Sequence, residues 1–217
     1  YSKAGNAWHL DGKIEINSTS KVTVRHVELG SKAELANPTF VTAKVGSTFD
    51  PKNEIISIKG YNYAQADSAI VVDDSGNQEV YIYYTKGSYP YTIKYVDADT
   101  KEDLHEPNTG HGEYGDTVAV NALNFAGYNV DQAEKSLKIG EGENTVIFYY
   151  SKKTVNYTIK YVWCGNEITD QVQGALKSGE SVTAEPKTIN GYTIVPDQNL
   201  TKTALDGAIE ITVRSEE

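Results

Sequence analysis

The chain has 217 residues, 20 Lys plus Arg, 30 Asp plus Glu, a formal net charge of −10 and one cysteine. The charges are dispersed, so no basic patch exists to neutralise phosphates, and nucleic acid and anionic membrane surfaces are excluded as partners. One cysteine excludes an internal disulfide. No membrane-spanning run, signal peptide or lipidation motif is present.

Residues 1–21 belong to no full repeat. Asp11-Gly12 forms a turn signal flanked by Trp8-His9-Leu10 and Ile14-Glu15-Ile16. The stretch reads either as a linker or as the last hairpin of an upstream module. The chain lacks Met and starts and ends in mid-pattern. It is therefore expected to be a monomeric piece of a larger protein.

From Val22 on, the chain says nearly the same thing three times. Tyr91-Thr92-Ile93-Lys94-Tyr95-Val96 recurs letter for letter as Tyr157-Thr158-Ile159-Lys160-Tyr161-Val162, and a looser copy opens at Val22-Thr23-Val24-Arg25-His26-Val27. A period of roughly 65–70 residues signals a tandem array of small modules. Three further landmarks keep phase. A Gly turn recurs at Val45-Gly46-Ser47, Tyr114-Gly115-Asp116 and Ser178-Gly179-Glu180. A Gly-Tyr pair recurs at Gly60-Tyr61, Gly127-Tyr128 and Gly191-Tyr192. The closing runs are Tyr81-Ile82-Tyr83-Tyr84, Ile147-Phe148-Tyr149-Tyr150 and Ile209-Glu210-Ile211-Thr212-Val213. These landmarks divide the chain into 22–84, 91–152 and 157–214. The junctions Thr85–Pro90 and Ser151–Asn156 are about six residues long, which favours limited bending over free tumbling.

Each module opens with period-two alternation. Tyr91, Ile93 and Tyr95 point one way, and Thr92, Lys94 and Val96 the other, as on a half-buried strand. Asp97-Ala98-Asp99-Thr100-Lys101 and Cys164-Gly165-Asn166 then read as turns. Val118–Leu123 and Val182–Ile189 are extended segments leading to Gly-Tyr, where Gly permits a twist or bulge. Val80–Tyr84 and Val146–Tyr150 are apolar on both faces and read as central strands covered on both sides. Lys32–Leu35 and Asp131–Leu137 are the only places for a short helix. The expectation is mainly β, helix-poor modules of four to six strands. With 16 Tyr against 4 Phe, tyrosine must fill core positions, with its hydroxyl kept wet at the core edge.

An opening Tyr-x-Ile-x-Tyr-Val, an acidic turn, a Gly turn, Gly-Tyr and a closing Val-x-Phe-Tyr-Tyr-x-Lys resemble the mucin-binding protein (MucBP) repeat of Gram-positive surface proteins. The second module carries the match most fully, through Tyr91–Asp97, Tyr114-Gly115-Asp116, Gly127-Tyr128 and Val146–Lys152. The first has His26 in place of Tyr. The third replaces the acidic turn with Trp163-Cys164-Gly165 and the Tyr-Tyr ending with Thr212-Val213-Arg214. The resemblance implies β-grasp (ubiquitin-like) modules in an elongated array, with first and last strands parallel at the sheet centre. It implies a cell-wall-anchored extracellular adhesin that binds host mucin or glycoprotein glycans. The alternative is a stalk that projects some other binding domain.

No residue pattern nominates a catalytic or metal site, and an enzyme is not expected. His105-Glu106 and His111 lack helical metal spacing, and Pro107 and Gly110 place them in a loop. Asp97, Asp99 and Asp103 resemble calcium donors, yet the calcium-loop Gly and late Glu are missing and Lys101 intrudes. Asp73-Asp74-Ser75-Gly76-Asn77 reads as a plain turn. Cys164 has no basic neighbour in sequence to activate it. A Lys–Asn isopeptide crosslink has no distinctive signature here. Exposed Tyr and Trp rings remain as candidates for stacking on sugars, without one being singled out. Mucin glycans are acidic, so a chain at −10 must bind them through local contacts and avidity across repeats.

Overall fold

The computed structural model describes residues 2–4, 7–9 and 18–217, with side-chain environments from residue 18 onward. Strands β1 (Ser2–Ala4) and β2 (Ala7–His9) pair antiparallel, Lys3 opposite Trp8. The Asp11-Gly12 turn proposed from sequence lies outside the described residues.

Three repeats follow, each of six strands. The first comprises β3 (Thr19–Glu28), β4 (Thr39–Lys44), β5 (Thr48–Phe49), β6 (Tyr61–Ala66), β7 (Ile70–Val71) and β8 (Gln78–Lys86). The second comprises β9 (Ser88–Asp97), β10 (Asp103–Glu113), β11 (Thr117–Asn121), β12 (Tyr128–Val130), β13 (Glu134–Lys138) and β14 (Thr145–Lys152). The third comprises β15 (Thr154–Trp163), β16 (Asn166–Lys177), β17 (Ser181–Thr183), β18 (Thr193–Ile194), β19 (Thr201–Thr203) and β20 (Ile209–Glu216).

The topology repeats three times. Four-stranded sheets run β4-β3-β8-β6, β10-β9-β14-β12 and β16-β15-β20-β18, and each repeat adds a two-stranded sheet, β5-β7, β11-β13 or β17-β19. Opening and closing strands are parallel neighbours at each sheet centre. Their register sets His26 opposite Ile82, Tyr95 opposite Phe148 and Tyr161 opposite Val213.

Each sheet closes its own interior, giving three separate buried clusters. Val22, Val24, Phe49, Val72, Val80, Ile82 and Tyr84 form the first. Tyr95, Val120, Val146, Phe148 and Tyr150 form the second, and Ile159, Tyr161, Ala184, Ile211 and Val213 the third. Small modules bury little area per residue, and aromatic rings supply much of it. Tyr95 stacks on Phe148 at 6.1 Å, and Phe125 meets Tyr150 edge-on at 4.9 Å.

Several sequence expectations change. The closing strands are central but buried on one face only: Val146, Phe148 and Tyr150 are inside while Tyr149 is 40% exposed. An apolar run on both faces therefore reflects aromatic side chains lying on a solvated face, and not a second covering layer. Asp131–Leu137 holds no helix; residues 134–138 are β13, paired with β11. Lys32–Leu35 is a turn and bridge beyond β3, where Val27 pairs with Glu34. The only helix among the described residues is a 3-10 turn, Pro51–Glu54, capped by the Asp50 side chain on Lys52 N–H. Core tyrosine hydroxyls are not wet. Tyr150 and Tyr161 donate to the backbone carbonyls of Leu123 and Glu185, at 2.7 and 2.8 Å, because a buried hydroxyl needs a partner.

The chain divides into two compact units. One is Tyr1–Tyr89 with Gly112–Asp116 and Ile139–Gly142; the other is Pro90–His111 with Thr117–Lys138 and Glu143–Glu217.

Candidate functional site

The Gly-Tyr landmark builds a joint inside each unit, by the same set of bonds. In the first unit, Gly60 sits at φ +80° and is buried. Its N–H donates to the Glu141 carboxylate at 2.6 Å, and its carbonyl accepts from Gly87 N–H at 2.7 Å. The Gly87 carbonyl in turn accepts from Tyr114 N–H at 2.9 Å. In the second unit, Gly127 at φ +79° donates to Asp206 at 2.9 Å and accepts from Lys153 N–H at 2.8 Å. The Lys153 carbonyl accepts from Ser178 N–H at 2.9 Å. A positive φ suits glycine. Here lack of a side chain matters as much: a Cβ on Gly60 would overlap the Tyr114 ring, and one on Gly127 the Ser178 hydroxyl.

Side chains around this common frame differ. Tyr114 meets Tyr61 and Tyr89 edge-on, at 6.1 and 6.3 Å. Lys86 pairs with Asp116 at 2.7 Å, and that hydrogen bond raises the ammonium above its ordinary range, with Glu28 and Glu113 adding charge attraction. The second joint uses Lys153–Asp206 at 2.6 Å instead. Hydrogen bonds from Lys153 and then from Gly127 N–H hold the Asp206 carboxyl below its usual value.

The solvent-facing side of the closing strands is the other candidate surface. In β8, Tyr81 and Tyr83 stack at 6.2 Å with 24° between planes, and Lys32 lies 5.6 Å from the Tyr81 ring. In β14, Tyr149 lies between Lys101 at 5.7 Å and Lys135 at 5.6 Å. By register, Tyr83 and Tyr149 correspond to Arg214 of β20, so the third repeat presents no ring there. Desolvation first, and then Glu79 for Tyr81 or Asp67 for Tyr83, pushes both phenols upward, and the Tyr81 hydroxyl donates to Glu79 at 3.2 Å. A ring flanked by ammonium groups offers a sugar a stacking face, and a sugar acid a local positive charge.

The residues weighed from sequence fall elsewhere. His105 and His111 lie on β10, not in a loop. His105 packs edge-on against Tyr95 at 5.7 Å, and its Nδ1 is 2.7 Å from the Glu106 carbonyl. Asp97 is buried and caps its own turn, accepting from Asp99 N–H at 2.8 Å, Thr100 N–H at 3.1 Å and the Tyr128 hydroxyl at 3.1 Å. Asp103 begins β10, across that turn. In the 73–77 turn, Ser75 N–H bonds to Asp73. Cys164 is exposed at φ +48°, in a two-residue turn with Gly165 that sets Trp163 opposite Asn166. Among lysines, Lys135 is tied to Asp131 at 2.7 Å and to the Ile147 carbonyl at 2.6 Å, so its amine is engaged as a cation. No grouping of three metal-ligating side chains occurs among the described residues. No helix among them is long and apolar enough to cross a membrane.

Sequence reasoning found the joint glycines but missed Glu141 and Asp206, whose partners lie 81 and 79 residues away. Both stand two residues after a buried Ile139 or Ala204, as Asp74 stands two after Val72, but that burial is decided by the fold and is not marked in the sequence.

Six-stranded repeats with parallel central strands, linked through glycine joints, define a tandem β-module protein. The chain belongs to the MucBP domain family, the repeat modules of Gram-positive cell-surface adhesins, which it matches at residues 21–85, 90–151 and 154–214. It is similar to Internalin I of Listeria monocytogenes serotype 4b (strain F2365), 29% identical over 205 residues, covering 91% of this chain and 11% of that protein. It is also similar to Internalin J of the same strain, 31% identical over 200 residues, covering 82% of this chain and 20% of that protein. The chain thus spans a tenth to a fifth of the length of these curated relatives. In fold it is similar to the Bacillus anthracis TIE protein, with a TM-score of 0.52 at 12% identity, over 92% of this chain and 51% of that one.

Proposed function

We propose that this chain is a repeat segment of a cell-wall-anchored adhesin that holds host mucin or another glycoprotein weakly and at several points. The repeats are 22–84, 91–152 and 157–214, the first two carrying the proposed ligand face, with residues 1–21 a linker or the end of an upstream module. The observation that carries the reading is the aromatic face flanked by lysine on β8 and β14. Tyr149, a ring 40% exposed on a central strand between two lysines, contributes little to the interior and is available to a ligand.

Charge decides how such binding must work. The net −10 opposes approach of a sialylated or sulfated glycan at long range. At physiological salt that repulsion is screened beyond about 8 Å, which leaves Lys101 beside the Tyr149 ring to supply a local positive charge. A single face offers one or two rings, so affinity per repeat is low, and linkage raises it by an effective concentration in the millimolar range.

The test is binding of the full chain to immobilised mucin. Tyr149→Ala, alone and with Tyr81→Ala and Tyr83→Ala, is expected to lower it stepwise, and desialylation to lower it further.

A second reading has its own support. The joints share one frame, a carboxylate on a glycine N–H and two backbone bonds, built alike twice, as a spacer requires. That reading predicts no mucin binding by the intact chain, and no response to any of the tyrosine substitutions.

A further inference from the structure

The third repeat carries half of a joint. Gly191 has the same left-handed backbone as its counterparts, φ +85°, and the same local turn: Tyr192 N–H bonds to Ile189 O at 3.0 Å, as Tyr61 does to Ile58 and Tyr128 to Phe125. Gly60 and Gly127 are buried under a neighbouring repeat, whereas Gly191 is exposed and open space faces its Cβ position. Among the described residues, no carboxylate stands on its N–H.

We infer that the Gly191-Tyr192 face is a docking surface for another repeat of this same kind, one that carries a carboxylate at the loop position held by Glu141 and Asp206. The chain itself shows the occupant. The two equivalent glycines each receive the acidic loop of the repeat that follows, by a bond from the glycine N–H to its carboxylate, alongside the same two backbone bonds through the linker residue. The site needs no rearrangement, since its turn is already set without an occupant.

Charge narrows the partner further. Register places Tyr61 opposite Lys86 and Tyr128 opposite Lys152, and in the third repeat Thr193 opposite Glu216. Continued by one residue, it puts Glu217 where Lys86 and Lys152 stand. Lys86 receives Asp116 of the Gly turn that docks on it. A repeat with Asp at that place would meet Glu217 with like charge. A repeat with a neutral residue there would not. The first repeat has that pattern: Ser47 corresponds to Asp116, and Asp74 to Glu141. Its Val45 N–H already bonds to Ser18 O at 2.9 Å, as Tyr114 does to Gly87 and Ser178 to Lys153. Ser18 is thus the linker residue of that repeat.

The test lengthens the full chain by a second copy of residues 18–86 placed directly after Glu217. Backbone hydrogen exchange at Gly191 reads the result. Its amide is expected to exchange fast in the original chain. In the lengthened chain it is expected to slow at least about tenfold, toward the rates of Gly60 and Gly127. Asp74→Ala in the added copy alone is expected to restore fast exchange, with core amides of that copy still protected. A parallel chain, lengthened by a copy of 87–152 carrying Asp116→Ser, guards against a copy that fails to fold. Unchanged Gly191 exchange in either chain whose added repeat has protected core amides overturns the inference. So does protection of Gly191 in the original chain by millimolar N-acetylneuraminate, which would make the face a site for free carboxylates.

Discussion

The carboxylate of Glu141 accepts the backbone N–H of Gly60 at 2.6 Å across 81 residues of sequence. Asp206 repeats the bond on Gly127 across 79. A charged acceptor on a buried amide makes a strong, directional bond, so each joint is fixed by one acidic residue and one glycine. Four predictions test this and the other relationships described above.

Gly127→Ala is expected to destabilise more than Gly191→Ala. Both residues hold positive φ, so each alanine costs about 1–2 kcal/mol in backbone strain. Only at Gly127 does the new methyl also strike Ser178. Urea unfolding of both variants gives the joint contribution as the difference. Ser178→Ala in the Gly127→Ala background is expected to recover part of it, and equal destabilisation by the two alanines would refute a packed joint.

His26 makes the first repeat sensitive to acid. Its ring is fully buried, Nδ1 is 3.1 Å from the Tyr84 hydroxyl, and Nε2 has no partner among the described residues. Burial lowers its pKa below the ordinary 6.5, against an upward pull from Glu54. The unfolded chain therefore takes up the proton first. Stability from this source is whole above about pH 6.5 and falls as pH drops below that value, until the lower folded pKa is passed. His26→Phe is expected to flatten the urea midpoint of the first repeat between pH 7 and 5, read from Tyr84 or Val24 amide exchange.

Asp97 acts at lower pH. Thr100 N–H first, then Asp99 N–H and the Tyr128 hydroxyl, hold its carboxyl below 3.8, against the effect of burial. Its contribution is present above about pH 3.8 and is lost as pH falls below that through the folded value. Asp97→Ala leaves those donors unsatisfied and is expected to cost about 1–3 kcal/mol at pH 7. The loss relative to the parent chain should shrink toward pH 2, as measured by thermal unfolding across the range.

Adjacent residues on β14 are expected to separate stability from binding. Phe148→Ala empties a fully buried site stacked on Tyr95 and is expected to cost about 3–5 kcal/mol. Tyr149→Ala removes an exposed ring, and is expected to change the urea midpoint little while mucin retention falls several-fold. Loss of stability from Tyr149→Ala comparable to that from Phe148→Ala would place Tyr149 in the fold and remove it from the proposed ligand face.

The sequence announced the repeats, and with them the strands, because side-chain alternation and turn chemistry are local. Asp97 and Gly165 sit in the turns their types require, and Gly60, Gly127 and Gly191 all adopt positive φ. Tyr149 was legible as apolar but not as exposed, since alternation marks two faces without telling which one is covered. His105 was misplaced because Pro107 and Gly110 signal a break, yet β10 is an edge strand, where both are tolerated.

By itself, then, the sequence determined three small β modules with aromatic interiors, through the phase of residues a few positions apart. Only tertiary structure decided which glycines lie under a neighbouring repeat and which stands open. The carboxylate that caps each one comes from a loop about eighty residues along the chain. A bond over that distance leaves no local pattern, and it forms only when folding brings the glycine turn and the acidic loop together within one unit.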